Sequence, residues 1–68
     1  MFYVIQISTT TEGVAKAITE QSSKDLATME FHQILASAMA NANVSECVCM
    51  VVTSTGAIVR NEYYKREA

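Results

Sequence analysis

"VAKAITEQ", Val14–Gln21, is the stretch whose reading decides the fold. Ala, Lys and Glu favour helix. Yet Val14, Lys16 and Ile18 alternate with Ala15, Ala17 and Thr19, and the segment follows a polar turn ending in Gly13. Alternation after a glycine turn is the pattern of a hairpin's second strand. The lysine and glutamate suit a strand at the edge of a sheet, where charge discourages unwanted pairing. We read Val14–Gln21 as that edge strand.

Its hairpin partner is "FYVIQIST", Phe2–Thr9, with Tyr3, Ile5 and Ile7 on one face and Phe2, Val4, Gln6 and Ser8 on the other. Both faces are largely apolar, so this strand belongs in the middle of the sheet. A second glycine, Gly56, recurs in the same setting: "TTEGVAK" at Thr10–Lys16 is matched by "TSTGAIV" at Thr53–Val59. In each, glycine supplies the positive φ of a three- to five-residue hairpin loop. "ECVCMVVT", Glu46–Thr53, is nearly all apolar and reads as a strand buried on both faces. "AIVRNEYY", Ala57–Tyr64, is its return strand, with Ala57, Val59, Asn61 and Tyr63 alternating against Ile58, Arg60, Glu62 and Tyr64. "KREA" is a solvated tail.

Between the hairpins lies "LATMEFHQILASAMANA", Leu26–Ala42. Ser22 or Ser23 caps its start and Asp25 suits the positive end of the dipole. Asn41–Asn43 is a stop, since Asn tolerates left-handed geometry. The expected fold is therefore α+β in ββαββ order. Two hairpins (strands about 2–9 and 14–21, then 46–53 and 57–64) form a mainly antiparallel four-stranded sheet, with a helix over about 24–41 on one face.

At about 100° per residue from Phe31, the residues Ala27, Ile34, Leu35, Ala38 and Ala42 fall within about 60° and form a core stripe. Leu26, Met29, Gln33, Ala36 and Ala40 fall between about 140° and 220° and form a second, small-residue stripe. One helix on one sheet cannot cover that stripe, nor the outer face of the two doubly apolar strands. Contiguous apolar surface of this kind marks an interaction site. We expect a homo-oligomer, a two-fold dimer being the commonest closed form, with Leu26, Met29, Gln33, Ala36 and Ala40 as its interface residues.

The chain is a single domain of 68 residues, short enough that self-association is an ordinary means of stabilisation. Half the residues are apolar and 18% charged, which is not the composition of disorder. A net charge of −2 and a pI near 5.1 provide no basic field for nucleic acid. Met1–Thr11 is too short to span a bilayer and has neither the basic start nor the cleavage site of a leader. These features lead us to expect a soluble, non-secreted protein that contacts neither nucleic acid nor membrane.

Catalytic chemistry finds little support. His32 is the only histidine. Ser37 sits about 140° round the helix from it and Glu30 is also badly placed, so no nucleophile–base–carboxylate set forms there. Glu46, Glu62 and Glu67 make no recognisable acid/base pair. Cys47 and Cys49 share one strand face, and a disulfide between them would distort an extended backbone; they read as small, reduced, buried hydrophobes. With His32 they lack any zinc motif, and nucleotide-binding glycine loops are absent. No cofactor or metal is expected. The one stretch suited to a polar ligand is "RNEYYKRE", Arg60–Glu67. There Arg60, Tyr64, Lys65 and Arg66 are the candidate contacts for an anion, through arginine's planar fork and tyrosine's flat ring.

"YVIQI" at Tyr3–Ile7, "FHQILASAMANANV" at Phe31–Val44 and "NEYYKRE" at Asn61–Glu67 resemble small proteins encoded by phages and prophages of gut Firmicutes, over most of the chain. The resemblance attaches no established activity and carries over no catalytic residue. It implies an accessory protein at work in the bacterial host cytoplasm. The function it implies is non-enzymatic binding, as a counter-defence factor that blocks a host defence protein or sequesters a small nucleotide signal between subunits. The alternative is a structural or assembly component of the phage particle.

Overall fold

The computed structural model describes residues 1–66. Five elements follow in order: β1 (Phe2–Thr10), β2 (Gly13–Gln21), α1 (Lys24–Ala40), β3 (Val44–Thr53) and β4 (Ile58–Lys65). The sheet is antiparallel throughout, in spatial order β2-β1-β3-β4. The fold is thus α+β in ββαββ order, and Val14–Gln21 is an edge strand. The expected tail lies partly outside the described residues, since Glu67 and Ala68 are not among them.

The two hairpin tips differ. Thr10 pairs with Gly13, so the first loop is only Thr11–Glu12, shorter than expected. Gly13, at φ +129°, opens β2 itself. The Thr10 hydroxyl accepts from the Glu12 N–H at 3.2 Å and donates to the Gly13 carbonyl at 3.1 Å, closing the tip. The second loop has the expected length. The Gly56 N–H donates to the Thr53 carbonyl at 3.0 Å, and Gly56 at φ +93° turns the chain back. A side chain is disfavoured there because its Cβ would crowd the backbone.

Two irregularities of register break the period of two that the sequence pattern assumes. Thr9 pairs with Glu46 but Thr10 pairs with Val44, so Ser45 is an inserted residue. This lets Val44 and Cys47, three positions apart, both point into the core, and the strand begins two residues earlier than expected. Val51 pairs with Arg60 but Val52 pairs with Ile58, so Val59 is the second insertion. Ile58 therefore shares the face of Asn61 and Tyr63, not that of Arg60, Glu62 and Tyr64 as simple alternation would have it. Each bulge changes which face the following residues occupy.

Ser23 caps α1, its Oγ accepting from the Leu26 N–H at 3.2 Å. Ala27, Phe31, Leu35 and Ala38 are buried as one stripe, with Ile34 half-buried beside them. They meet Val4 of β1 and Val44, Cys47, Cys49 and Val51 of β3. Ala42, expected in this stripe, is exposed, because the helix ends at Ala40. Asn41 leaves the helix in an extended conformation (φ −94°), not the left-handed one expected. Its side-chain oxygen accepts from the Asn43 N–H at 3.0 Å, and its carbonyl accepts from Val44 at 3.0 Å. These two bonds make the turn into β3 without a positive φ.

A helix about 10 Å across covers about two strands spaced about 4.8 Å apart. α1 lies over β1 and β3, leaving the edge strands largely bare: every residue from Gly13 to Glu20 is exposed. On the far side nothing packs against the sheet. β3 is therefore buried on one face only, with Val48, Met50 and Val52 half-exposed on the other.

Candidate functional site

The four candidate anion contacts do not converge. Successive strand residues alternate faces, which puts Arg60 and Tyr64 on the helix side of β4 and Lys65 on the open side. Arg60 is four residues from Tyr64 and next but one to Glu62 on the same face. Arg66 is already engaged. Its Nε donates to the Val44 carbonyl at 3.0 Å, and its Nη2 lies 3.2, 3.0 and 2.9 Å from the carbonyl oxygens of Ala38, Met39 and Asn41. The Ala38, Met39 and Asn41 carbonyls belong to the last turn of α1 and its exit, where the dipole is negative and the last turn carries no basic residue. A cation from the chain's end satisfies both the carbonyls and the dipole. The guanidinium also lies 5.6 Å from the centroid of the Tyr64 ring. The sequence pattern marks Arg66 as a ligand contact; its visible partners are intramolecular.

Two grooves flank the helix. One, of about 310 Å³, is polar, lined by Gln6, Ser8, Glu30, Gln33, Ser37 and Asn41 among others. At its floor the buried Ser8 hydroxyl accepts from Gln6 Nε2 at 3.0 Å and donates to Cys47 Sγ at 3.6 Å. At its wall one oxygen of Glu30 accepts from the Thr19 hydroxyl at 2.6 Å and from Gln21 Nε2 at 3.0 Å. Gln6 and Ser8 thus bond to each other, while the Glu30 and Asn41 side chains bond to neighbours outside the groove's lining. The second, of about 550 Å³, runs between α1 and β4 past His32, Leu35, Met39, Arg60 and Glu62. His32 is exposed and meets the Phe31 ring edge-on, with centroids 5.3 Å apart.

Cys47 and Cys49 are free thiols, fully buried. Burial first, then Cys47 and Glu30, push the Cys49 thiol up to about 11. Such a thiol stays protonated at neutral pH and is a poor nucleophile or metal ligand. Among the described residues, no three His, Cys, Asp or Glu side chains come together as a metal-holding group. No helix in this range is long and apolar enough to cross a membrane.

The outer stripe of the helix is where the periodicity places it: Leu26, Met29, Gln33, Ala36 and Ala40 are all exposed. The larger apolar surface is elsewhere. On the open side of the sheet, β1 presents Tyr3, Ile5 and Ile7 and β3 presents Val48, Met50 and Val52, paired in register as Tyr3–Val52, Ile5–Met50 and Ile7–Val48. Ile18 and Ile58 extend the patch onto the edge strands, 69% and 60% exposed. Its signal in the sequence is the double apolar face of β1 and β3; the pattern does not single out the residues that widen it, Ile18, Ile58 and Tyr63. A contiguous apolar patch over four strands is the kind of surface that marks an interaction site.

No protein-family model matches the chain, and neither a curated protein nor a solved structure matches it.

Proposed function

We propose that the chain is a non-enzymatic, self-associating binding protein. The observation that carries this reading is the uncovered apolar sheet face centred on Ile5 and Met50. Burying apolar area stabilises at about 25 cal/mol per Å², and α1 leaves the whole of that face to water. A domain of this size gains more from covering such a face than from any other available contact.

Within this reading we favour a host protein as the further partner over a small nucleotide. A nucleotide's phosphates call for converging cations or backbone N–H groups. Here Arg66 is spent on the helix end, Lys65 lies on the opposite face from Arg60, and Arg60 stands near Glu62. The exposed side of α1, with Leu26, Met29, Gln33, Ala36 and Ala40, is the surface we propose for that partner. The phage-type resemblance supports counter-defence as the use of such binding.

Light scattering over the micromolar range tests the reading. A mass of at least twice the 7.5 kDa chain is expected. A mass of one chain at every concentration removes self-association, and the functional reading with it.

A further inference from the structure

We infer that two copies meet face to face through the open sheet. The two-fold axis runs along the strands, midway between β1 and β3, so that Ile5 of each copy packs on Met50 of the partner subunit. This rests on the self-association reading above and specifies its surface and symmetry.

The first argument is the distribution of charge. The six middle residues of the face, Tyr3, Ile5 and Ile7 with Val48, Met50 and Val52, are all apolar. Its four charged residues, Lys16, Glu20, Glu46 and Lys65, lie on the edge strands or at one end. An apolar centre ringed by polar groups is the anatomy of a protein–protein interface. The edges themselves are poor alternatives, since Lys16 and Glu20 beside the β2 edge discourage sheet extension.

The second is area. Four strands about 4.8 Å apart, rising about 3.3 Å per residue, give a face of about 450 Å² in plan. Side-chain relief raises its accessible area toward the roughly 800 Å² per partner of a standard interface. The helix's small-residue stripe offers a much narrower contact.

The third is symmetry. Aligned sheet packings keep their strands within about 30° of one another, which leaves a two-fold axis along the strands or one across them. The register pairs Tyr3 with Val52, Ile5 with Met50 and Ile7 with Val48. An axis along the strands lays each member of a pair on the other member in the second copy, so all six apolar residues meet one another. Lys16 then comes opposite Tyr63, a favourable cation–ring contact, and Glu20 comes opposite Ile58 at the rim. No like charges meet. An axis across the strands through Ile5 and Met50 instead lays each of these residues on its own counterpart in the second copy, so that a charge introduced at either position would meet its like. The resulting particle has helices outside and two sheets inside, and both outer helix surfaces remain free for another partner.

Paired charge variants test this. Ile5→Glu and Met50→Lys are made separately, with circular dichroism to establish folding; both side chains pack against nothing above the sheet. Wild type is expected to be a dimer. Each variant alone is expected to have the mass of one chain, because it opposes a charge to an apolar residue twice. An equimolar mixture is expected to give a heterodimer by native mass spectrometry, since the carboxylate introduced in one variant then meets the ammonium introduced in the other. Should either variant unfold, Ile7→Glu with Val48→Lys repeats the design one pair along. A dimeric wild type with dimeric single variants overturns the proposed face and leaves self-association standing. Monomeric variants whose mixture stays monomeric overturn the proposed axis. A monomeric wild type overturns this inference together with the reading on which it rests.

Discussion

The Arg66 guanidinium donates to the Ala38 carbonyl at 3.2 Å across 28 positions of sequence, tying the end of β4 to the end of α1. The same group reaches Met39, Asn41 and Val44, so a single side chain joins α1, its exit turn, β3 and β4. Helix ends leave carbonyls without intrahelical partners. Here a residue distant in sequence supplies what a helix usually obtains from its own last turn.

Removing that group has a measurable cost. Charge-assisted hydrogen bonds contribute about 1.5–3 kcal/mol, and partial exposure of the guanidinium lowers the figure. Arg66→Ala is expected to destabilise by about 1–2 kcal/mol, lowering the thermal midpoint by several degrees at fixed protein concentration. Arg66→Lys keeps the charge but loses the planar fork, and should recover less than half. A midpoint unchanged in the alanine variant would show that solvent satisfies these carbonyls equally well.

Glu30 links the helix to the uncovered edge strand. One of its oxygens takes both Thr19 and Gln21, two of the few helix-side ties that β2 possesses. Glu30→Ala is expected to cost about 1 kcal/mol and to speed amide exchange in β2 more than in β1. Glu30→Gln retains an acceptor and removes the charge. It should leave stability nearly unchanged while moving Cys49 ionisation below about 11, because the carboxylate is one cause of that upward shift. An exchange rate unaltered in β2 would mean that the strand is held by its pairing with β1 alone.

Cys49 also makes stability depend on alkaline pH. Its ordinary value is 9.0 and its folded value about 11. Between these limits the unfolded chain releases the proton while the folded chain keeps it. Stability is therefore full below about pH 9 and falls as pH rises towards 11, by on the order of 2 kcal/mol. Denaturant titrations at pH 8 and pH 10.5 should show this fall, and Cys49→Ala should flatten it. The same burial predicts negligible alkylation of the folded protein at neutral pH.

The fold was legible because period-two apolar patterns, two glycine turns and a serine-capped helical stretch all pointed the same way. What escaped were features set by single insertions and by distant partners. Ser45 and Val59 look like any strand residue, yet each changes face assignments; Ile58 joins the open face only because Val59 is inserted. Arg66 sits in a basic cluster that reads as ligand-binding, and only the tertiary fold brings it to the Ala38 carbonyl. Ala42 fits the helical period but lies beyond the helix end, which Asn41 sets by bonding to Asn43. Periodicity reports which residues can share a face. It is blind to a bulge and to a partner 28 positions away.

The outer stripe of α1 provides the last discriminating measurement. Met29 and Ala36 are exposed, Ala36 along the groove between α1 and β4, and in a sheet-to-sheet dimer both lie on the outside. Met29→Glu and Ala36→Glu should therefore leave the dimer mass unchanged and alter stability by no more than about 0.5 kcal/mol, as surface substitutions generally do. Ala40→Glu is a harsher test, because a negative charge near the helix's C-terminal carbonyls is unfavourable by about 0.5 kcal/mol; it too should spare assembly. Loss of the dimer in the Met29 or Ala36 variant would move the interface from the sheet to the helix. Retention of the dimer together with loss of binding to a host protein would assign the stripe to that partner, and Leu26, Gln33 and Ala40 would then be its next residues to substitute.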